Sequence, residues 1–367
     1  MATQHIVSIS GGADSLAVAI LALRRAERRG MQLRFLNADL GAAESQITHD
    51  YIGYIEKTLG IVIERVRADF TSEFAARRET IQHHWSQEKR RKEHTAACKE
   101  RRAAVMQSQT PFVRGTKWTE WRQACDCPVR ISAPVSQSLI DRAKGLLVPT
   151  GEPFLDLSML KGRFPSRTAQ FCTERLKLEP INAIVHPLLE GGERIVSWIG
   201  EMAEESPRRA KKPPIQRTRW IGLGQLVLYR PILRWTKADN FRLAARHGVL
   251  PNPLYRMGFG RVGCLPCINC GKDELNQIDK RFPEIFDRLR EWETLVALVS
   301  RRGEATFFPA PLVPGNPEDN TRARIDEAVK WSKTTRGGRQ FDMLQYIARD
   351  EADENGLMCE SAYGLCE

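Results

Sequence analysis

An apolar run at 6–9 breaks into Ser10-Gly11-Gly12-Ala13-Asp14-Ser15 and passes directly into a helical pattern from Leu16 to about Arg28, which Gly30 stops. A second strand at 33–37, a turn at Asp39-Leu40-Gly41, a helix from about Glu44 to Leu59 and a strand at 61–66 follow. Strands alternating with helices of this length need a parallel sheet with right-handed crossovers, covered on both faces. The predicted fold is therefore α/β, a doubly wound, mostly parallel sheet. Its first turn has a chemical consequence. Two glycines permit positive φ and close backbone approach, and the helix behind them aims its unpaired N–H groups at the turn. Ser10 and Ser15 add hydroxyl donors, so the turn suits an anion. It is neither a Walker P-loop, which needs Gly-Lys-Ser/Thr, nor a Gly-x-Gly-x-x-Gly turn.

The alternation pauses between about 72 and 150. Residues 77–102 hold nine Lys/Arg against four Asp/Glu with no apolar stripe, which predicts a basic, largely helical insertion bounded by the Pro111 and Pro128 breakers. A buried strand is expected at 195–199. Residues 206–219, with six basic side chains, no acid, and Pro207, Pro213 and Pro214, read as a loop. Thr236 and Asp239 have the spacing of a capping box. With 56 Lys/Arg against 45 Asp/Glu the chain carries +11, which suits partners bearing phosphates. No run of 18 apolar residues and no signal-peptide pattern is present, so a cytoplasmic protein with no membrane span is expected. Its nine cysteines then read as thiols or metal ligands rather than disulfides.

The Ser-Gly-Gly-x-Asp-Ser string resembles the PP-loop of the ATP pyrophosphatase superfamily. The resemblance implies an adenine nucleotide α-hydrolase-like fold. Ser10, Gly11, Gly12, Ala13, Asp14 and Ser15 would hold ATP phosphates, and Asp14 would help place Mg²⁺. Asp39 and Gly41 fall where the superfamily lodges adenine and ribose, at the carboxyl end of a parallel strand.

Arg163, Arg167, Arg175 and Lys177 crowd around Cys172. Guanidinium groups offer bidentate donors to phosphate or sulfate, and positive charge favours a thiolate. The segment Cys172-Thr-Glu-Arg-Leu-Lys177-Leu-Glu-Pro180 resembles the Cys-x-x-x-x-Lys-x-x-Pro segment of the phosphoadenosine phosphosulfate reductase family, a branch of the PP-loop superfamily. Gly200-Glu201-Met202-Ala203-Glu204-Glu205-Ser206-Pro207-Arg208-Arg209 is similar to that family's Gly-x-Arg-x-x-Glu-Ser-x-x-Arg, with Met202 where the family has its first Arg. The resemblance implies catalytic roles for Asp14, Arg163, Lys177 and Arg209 and nucleotide contacts for Glu205 and Ser206.

Cys264-Leu-Pro-Cys267-Ile-Asn-Cys270 has a spacing used for iron–sulfur ligation, and its Cys-x-x-Cys is equally a zinc half-site. The branch that contains DNA phosphorothioation enzymes and adenylylsulfate reductases carries a 4Fe-4S cluster on comparable cysteines. That implies Cys172, Cys264, Cys267 and Cys270 as ligands, zinc being the runner-up metal. Cys359 and Cys366 compete with Cys270 for the fourth place. Cys366 also lies in a Gly-Leu-Cys tail, whereas classical reductases carry their attacking thiol in a Cys-Gly-Leu tail. Cys125-Asp126-Cys127 is spaced too closely for both thiolates to cap one tetrahedral metal easily, and it has no assignment; the histidines show no metal spacing. The run Asn252–Cys264 resembles reductase-like proteins of phages and mobile elements.

These readings predict a nucleotide-binding domain over 1–255, interrupted by the insertion, and a cysteine-rich region over 256–367. Three functions fit. The first is an ATP-dependent adenylating enzyme that, with an iron–sulfur centre, transfers sulfur to a nucleic acid held by 77–102 and 206–219, with protein partners of a modification or defence complex. The second is a sulfonucleotide reductase acting on an adenosine phosphosulfate nucleotide with a tail thiol. The third is a non-catalytic subunit that binds nucleotide and nucleic acid.

Overall fold

A computed structural model describes residues 3–93, 95, 97, 98, 100, 127–166, 169–308 and 324–334. The chain divides into two compact units, Met1–Ser72 with Val148–Glu367, and Glu73–Leu147.

The larger unit is built on a six-stranded sheet of order β3-β2-β1-β6-β8-β7. The strands are β1 (Thr3–Ser8), β2 (Leu33–Asp39), β3 (Ile63–Arg67), β6 (Arg194–Trp198), β7 (Ile215–Ile221) and β8 (Gly224–Tyr229). All neighbouring pairs are parallel except β7 with β8. Alternation along the strands gives each face its own core. Val7, Phe35 and Trp198 pack with α1 (Ala13–Arg29) and α2 (Gln46–Leu59) on one face. Ile6, Leu36 and Ile195 pack with Val185 and Leu189 of α6 (Glu179–Glu190) on the other. The doubly wound architecture follows. Because β1 lies between β2 and β6, strand order reverses there, and the turn after β1 occupies the switch point where open α/β sheets bind ligands.

The remaining helices of this unit are α5 (Pro153–Lys161), α7 (Pro207–Ala210), α8 (Lys237–Arg246), α9 (Pro253–Arg256), α10 (Lys272–Arg281), α11 (Glu284–Leu298) and α12 (Ile325–Ser332). An aromatic cluster ties α5 to α11, with Phe154 stacked on Trp292 at 5.8 Å and Phe307 next to Phe154 and Phe164. The stretch 206–219 is not a loop. It forms α7 and most of β7, an edge strand held by an antiparallel ladder with β8 that shifts register between Arg217 and Trp220.

The smaller unit holds most of α3 (Thr71–Trp85) and α4 (Gln137–Leu146). It is helical at both ends, but its most basic run is not: Lys89–Lys92 forms β4, antiparallel to β5 (Val129–Ser132). Arg167, Cys125, Cys359 and Cys366 lie outside the described residues.

Candidate active site

The turn after β1 is held open by backbone geometry. Gly11 has φ 76°, and a Cβ there would stand 2.9 Å from Thr48 Cγ2. Gly12 begins α1 in extended conformation with no side-chain cap. Ser10 donates its N–H and hydroxyl to Ser15 Oγ at 3.1 and 3.2 Å, which closes the turn, and Ser15 donates to Gly12 O. Two residues of the Asn252–Cys264 run brace it: Asn252 Nδ2 donates to Gly11 O, and Ala13 N donates to the Tyr255 hydroxyl at 3.1 Å.

Asp14 is buried at 3% exposure. Asn240 Nδ2 donates to its Oδ1 at 2.6 Å. Burial pushes its pKa above the usual carboxylate range, against the opposing pull of Lys237, the Asn240 hydrogen bond and Arg209. The end of β6 approaches it so closely that a Cβ on Gly200 would lie 3.2 Å from the Asp14 carbonyl carbon. Met202 is buried in the place of the family's arginine, and its sulfur accepts from Asn240 Nδ2 at 3.3 Å. At the end of β2, Asp39 Oδ1 accepts from Gly41 N at 2.8 Å, while Glu152 accepts from Ala42 N.

A cavity of about 510 Å³ opens beside this edge of the sheet. Glu205, Ser206 and Arg209 line it together with Leu40; Cys172, Thr173, Leu176 and Lys177 form another wall, and Arg261, Gly263, Cys264 and Cys267 a third. Each wall has a local cause. Glu205 is buried, accepts from Met202 N and pairs with Arg209, while Ser206 caps α7 by accepting from Arg209 N. A π-helical turn, Thr173–Leu178, starts at Cys172, and its wider winding presents the thiol and Lys177 to the same space. Cys264 is fixed by a bridge to Glu44 and by Leu265 N donating to Ala43 O at 2.9 Å. Burial pushes the Cys264 thiol up to about 12, Lys177 opposing and Cys267 adding to the shift; Cys172 is raised by burial and then by Cys267.

The structure therefore brings Cys172, Cys264 and Cys267 to one cavity with Lys177, Glu205, Ser206 and Arg209. Arg209 also acts electrostatically on Asp14, which links the cavity to the turn. Cys270 is buried behind the cysteine turn, its N–H donating to Cys267 O at 2.9 Å, and does not line the cavity. Arg163 instead lies over the Phe171 ring at 5.5 Å. Sequence reasoning missed Lys237, Asn240, Glu44 and Arg261. Only the Thr236 capping box, which starts α8, carried a signal for the first two.

Residues 4–270 match the phosphoadenosine phosphosulfate reductase domain. The chain belongs to the phosphoadenosine phosphosulfate reductase family. A 37.8 kDa protein of the gpa 5′ region of Escherichia phage 186 is 39% identical over 373 residues, 100% of this chain and 97% of that protein. The adenosine 5′-phosphosulfate reductase of Streptomyces coelicolor is 37% identical over 84 residues, 23% of this chain and 34% of its own length. A phosphoadenylyl-sulfate reductase structure from Candida auris, in complex with phosphate, covers 72% of this chain and 82% of its own at 11% identity and a TM-score of 0.34. Adenosine-nucleotide binding is consistent with membership in this family. No helix of the described residues is long and apolar enough to cross a membrane.

Among the described residues, no three His, Cys, Asp or Glu groups are arranged to hold a single metal ion. A cluster gives each iron its own thiolate and so spreads its ligands, and three thiols from two walls of one cavity fit that donor chemistry.

Proposed function

We propose that this family member is an adenylating PP-loop enzyme whose thiol-lined cavity holds an iron–sulfur centre and whose product is a sulfur-modified nucleic acid. The observation that carries the reading is the shared cavity: Glu205, Ser206 and Arg209, the last of which acts electrostatically on Asp14, open onto the same space as Cys172, Cys264 and Cys267.

In this reading the turn Ser10, Gly11, Gly12, Ala13, Asp14 and Ser15 holds the β- and γ-phosphates of ATP, and Asp14 orients Mg²⁺. Asp39 and Gly41 face the ribose. A substrate oxygen attacks the α-phosphorus, the bond to pyrophosphate breaks, and the leaving group's charge develops against the turn and Arg209. Lys177 stabilises charge at the acceptor end, and Arg163 supports that end from its place on Phe171. Cys172, Cys264 and Cys267 would hold the cluster, with Cys270 or a tail cysteine as fourth ligand; when bound it would supply sulfur or electrons. The exposed cations of β4 and the basic residues of α7 and β7 serve a phosphate backbone.

A second reading, reduction of an adenosine phosphosulfate nucleotide, is favoured by the relatives named as reductases over 84 and 120 residues. Pyrophosphate release from ATP, dependent on an added nucleic acid and lost in Asp14→Asn, is the expected result. Sulfite release from a phosphosulfate nucleotide with thioredoxin, and no pyrophosphate from ATP, would replace the first reading by the second. Nucleotide binding with neither product would make the chain an accessory subunit.

A further inference from the structure

Each wall of the thiol-lined cavity carries a cation: Arg209, Lys177 and Arg261. The function proposed above uses the first two and leaves Arg261 without a role. Met202 adds no charge at the end of β6, because it is buried there against Asn240. Arg261 lies on the wall that also holds Cys264 and Cys267. Its backbone is tied down from the nucleotide side: Lys237 Nζ donates to Gly260 O at 3.2 Å and lies over the Tyr255 ring at 4.9 Å. Glu274 acts on its charged end. That residue stands in the first turn of α10 and accepts from the N–H of Gly271, the N-cap of the helix. Glu274 Oε1 is nonetheless buried without a hydrogen-bond partner among the described residues. Burial raises the Glu274 carboxyl to about 7, and Arg261 is the side chain that draws it back.

Capping alone does not call for a buried carboxyl here. Glutamine would accept from Gly271 equally well and would carry no charge to desolvate. A carboxylate in that place has a use when it fixes a neighbouring cation, as buried Glu205 does for Arg209 on another wall. A guanidinium has more donors than one carboxylate can occupy, and its planar fork matches the oxygens of phosphate or sulfate. We propose that Arg261, positioned by Glu274, binds a tetrahedral oxyanion of the acceptor substrate at the cysteine end of the cavity. The assignment rests on the function proposed above in one respect, that the nucleotide phosphates occupy the Ser10–Ser15 turn and Arg209 and leave the cysteine end to the second reactant. In that function the oxyanion is a phosphodiester of the nucleic acid; in the reductive alternative it is the sulfonyl group of the phosphosulfate. Both present the same acceptor oxygens to the fork.

The test is equilibrium dialysis of the full-length chain against radiolabelled inorganic sulfate, with and without ATP and Mg²⁺. A sulfate that ATP does not displace is expected, and Arg261→Gln should weaken it about tenfold, the loss of a charge-assisted bidentate contact. Arg261→Lys should recover part of that loss, because the charge remains without the fork. Glu274→Gln should weaken sulfate with Arg261 present, and the double variant should bind no more weakly than Arg261→Gln, since Glu274 acts through Arg261. ATP affinity should fall far less than sulfate affinity. Sulfate binding unchanged by Arg261→Gln, additive losses in the double variant, or equal losses of ATP and sulfate, the mark of a collapsed cavity, each overturn the proposal. Displacement of the Arg261-dependent sulfate by a dinucleotide assigns the site to a phosphodiester, and displacement by adenosine 5′-phosphosulfate alone assigns it to a sulfonyl group; displacement by neither overturns its assignment to a substrate. If ATP never yields pyrophosphate while sulfate binding still depends on Arg261, the adenylating function falls and the oxyanion site stands.

Discussion

Asp14 sits in the first turn of α1 with almost no solvent contact, and the cations around it do not cancel the cost of ionising it there. A carboxyl whose folded-state pKa is raised stabilises the fold while protonated. That contribution is complete below its unfolded pKa and lost as pH rises through the folded one. Above its folded-state pKa the ionised group therefore weakens the fold. Asp14→Asn keeps an oxygen to accept from Asn240, so it should be more stable than the unsubstituted chain wherever Asp14 is ionised. Denaturant unfolding across pH checks this, and the gain should shrink towards acid pH. The same variant should bind nucleotide with Mg²⁺ at least tenfold more weakly, about 1.4 kcal/mol. A loss of stability without loss of binding would show that the residue serves the core alone. Gly11→Ala is the opposite case. Its φ of 76° is costly for any Cβ, and Thr48 stands in the way, so a cost of about 1–3 kcal/mol is expected together with weaker nucleotide binding.

At the scale of elements, Glu293 of α11 fastens two separate segments. Its carboxylate oxygens accept from Phe307 N at 2.8 Å and from Ile325 N, the first residue of α12, at 3.1 Å. Burial nevertheless raises its pKa to about 7, the two N–H donors and Arg324 only partly opposing. The advantage of Glu293 over Glu293→Gln should therefore be largest at acid pH and decline as pH rises from the ordinary carboxylate range to about 7, by about 3 kcal/mol. Unfolding midpoints of the two proteins at acid and mildly alkaline pH measure that difference; a constant offset would refute the assignment. Nothing in the sequence marks Glu293, because its importance comes from residues distant in the chain that fold back onto it. The strands β4 and β7 were hidden for a related reason. Sequence periodicity detects a strand through one apolar face, and Lys89–Lys92 has none. In β7 the prolines before it read as loop, while the pairing that makes it a strand comes from β8. The parallel core was legible because Val7 and Ile6, or Phe35 and Leu36, supply both faces from adjacent positions.

At the scale of the whole molecule, the candidate site was legible where a motif is contiguous, as in the Ser10–Ser15 turn and the Cys264–Cys270 turn, and opaque where partners converge from α8, α9 and the end of β6. Asn240, Tyr255 and Gly200 reach the turn through tertiary packing. The net charge of +11 divides in the same manner. Arg230 and Lys212 are bound to Glu201, and Arg34 to Glu64, so they cannot count freely towards a polyanion. In the β4–β5 register, Arg91 stands opposite Arg130 and Lys89 opposite Ser132; Arg130 is paired with Glu93, which leaves Lys89 and Arg91 to present charge on one face of an exposed ribbon. If that face meets a phosphate backbone, binding should weaken linearly in log salt, and each contact removed should lower the slope by about 0.9. Lys89→Gln with Arg91→Gln should therefore reduce the slope by about 2. Their exposure keeps the stability cost within about 0.5 kcal/mol. ATP should still protect both proteins against thermal unfolding equally, because linkage depends only on the nucleotide's own affinity. Fluorescence anisotropy on a labelled duplex over a salt series gives the slopes. An unchanged slope would place the polyanion contact elsewhere, and the basic residues of α7 and β7 would then be substituted next.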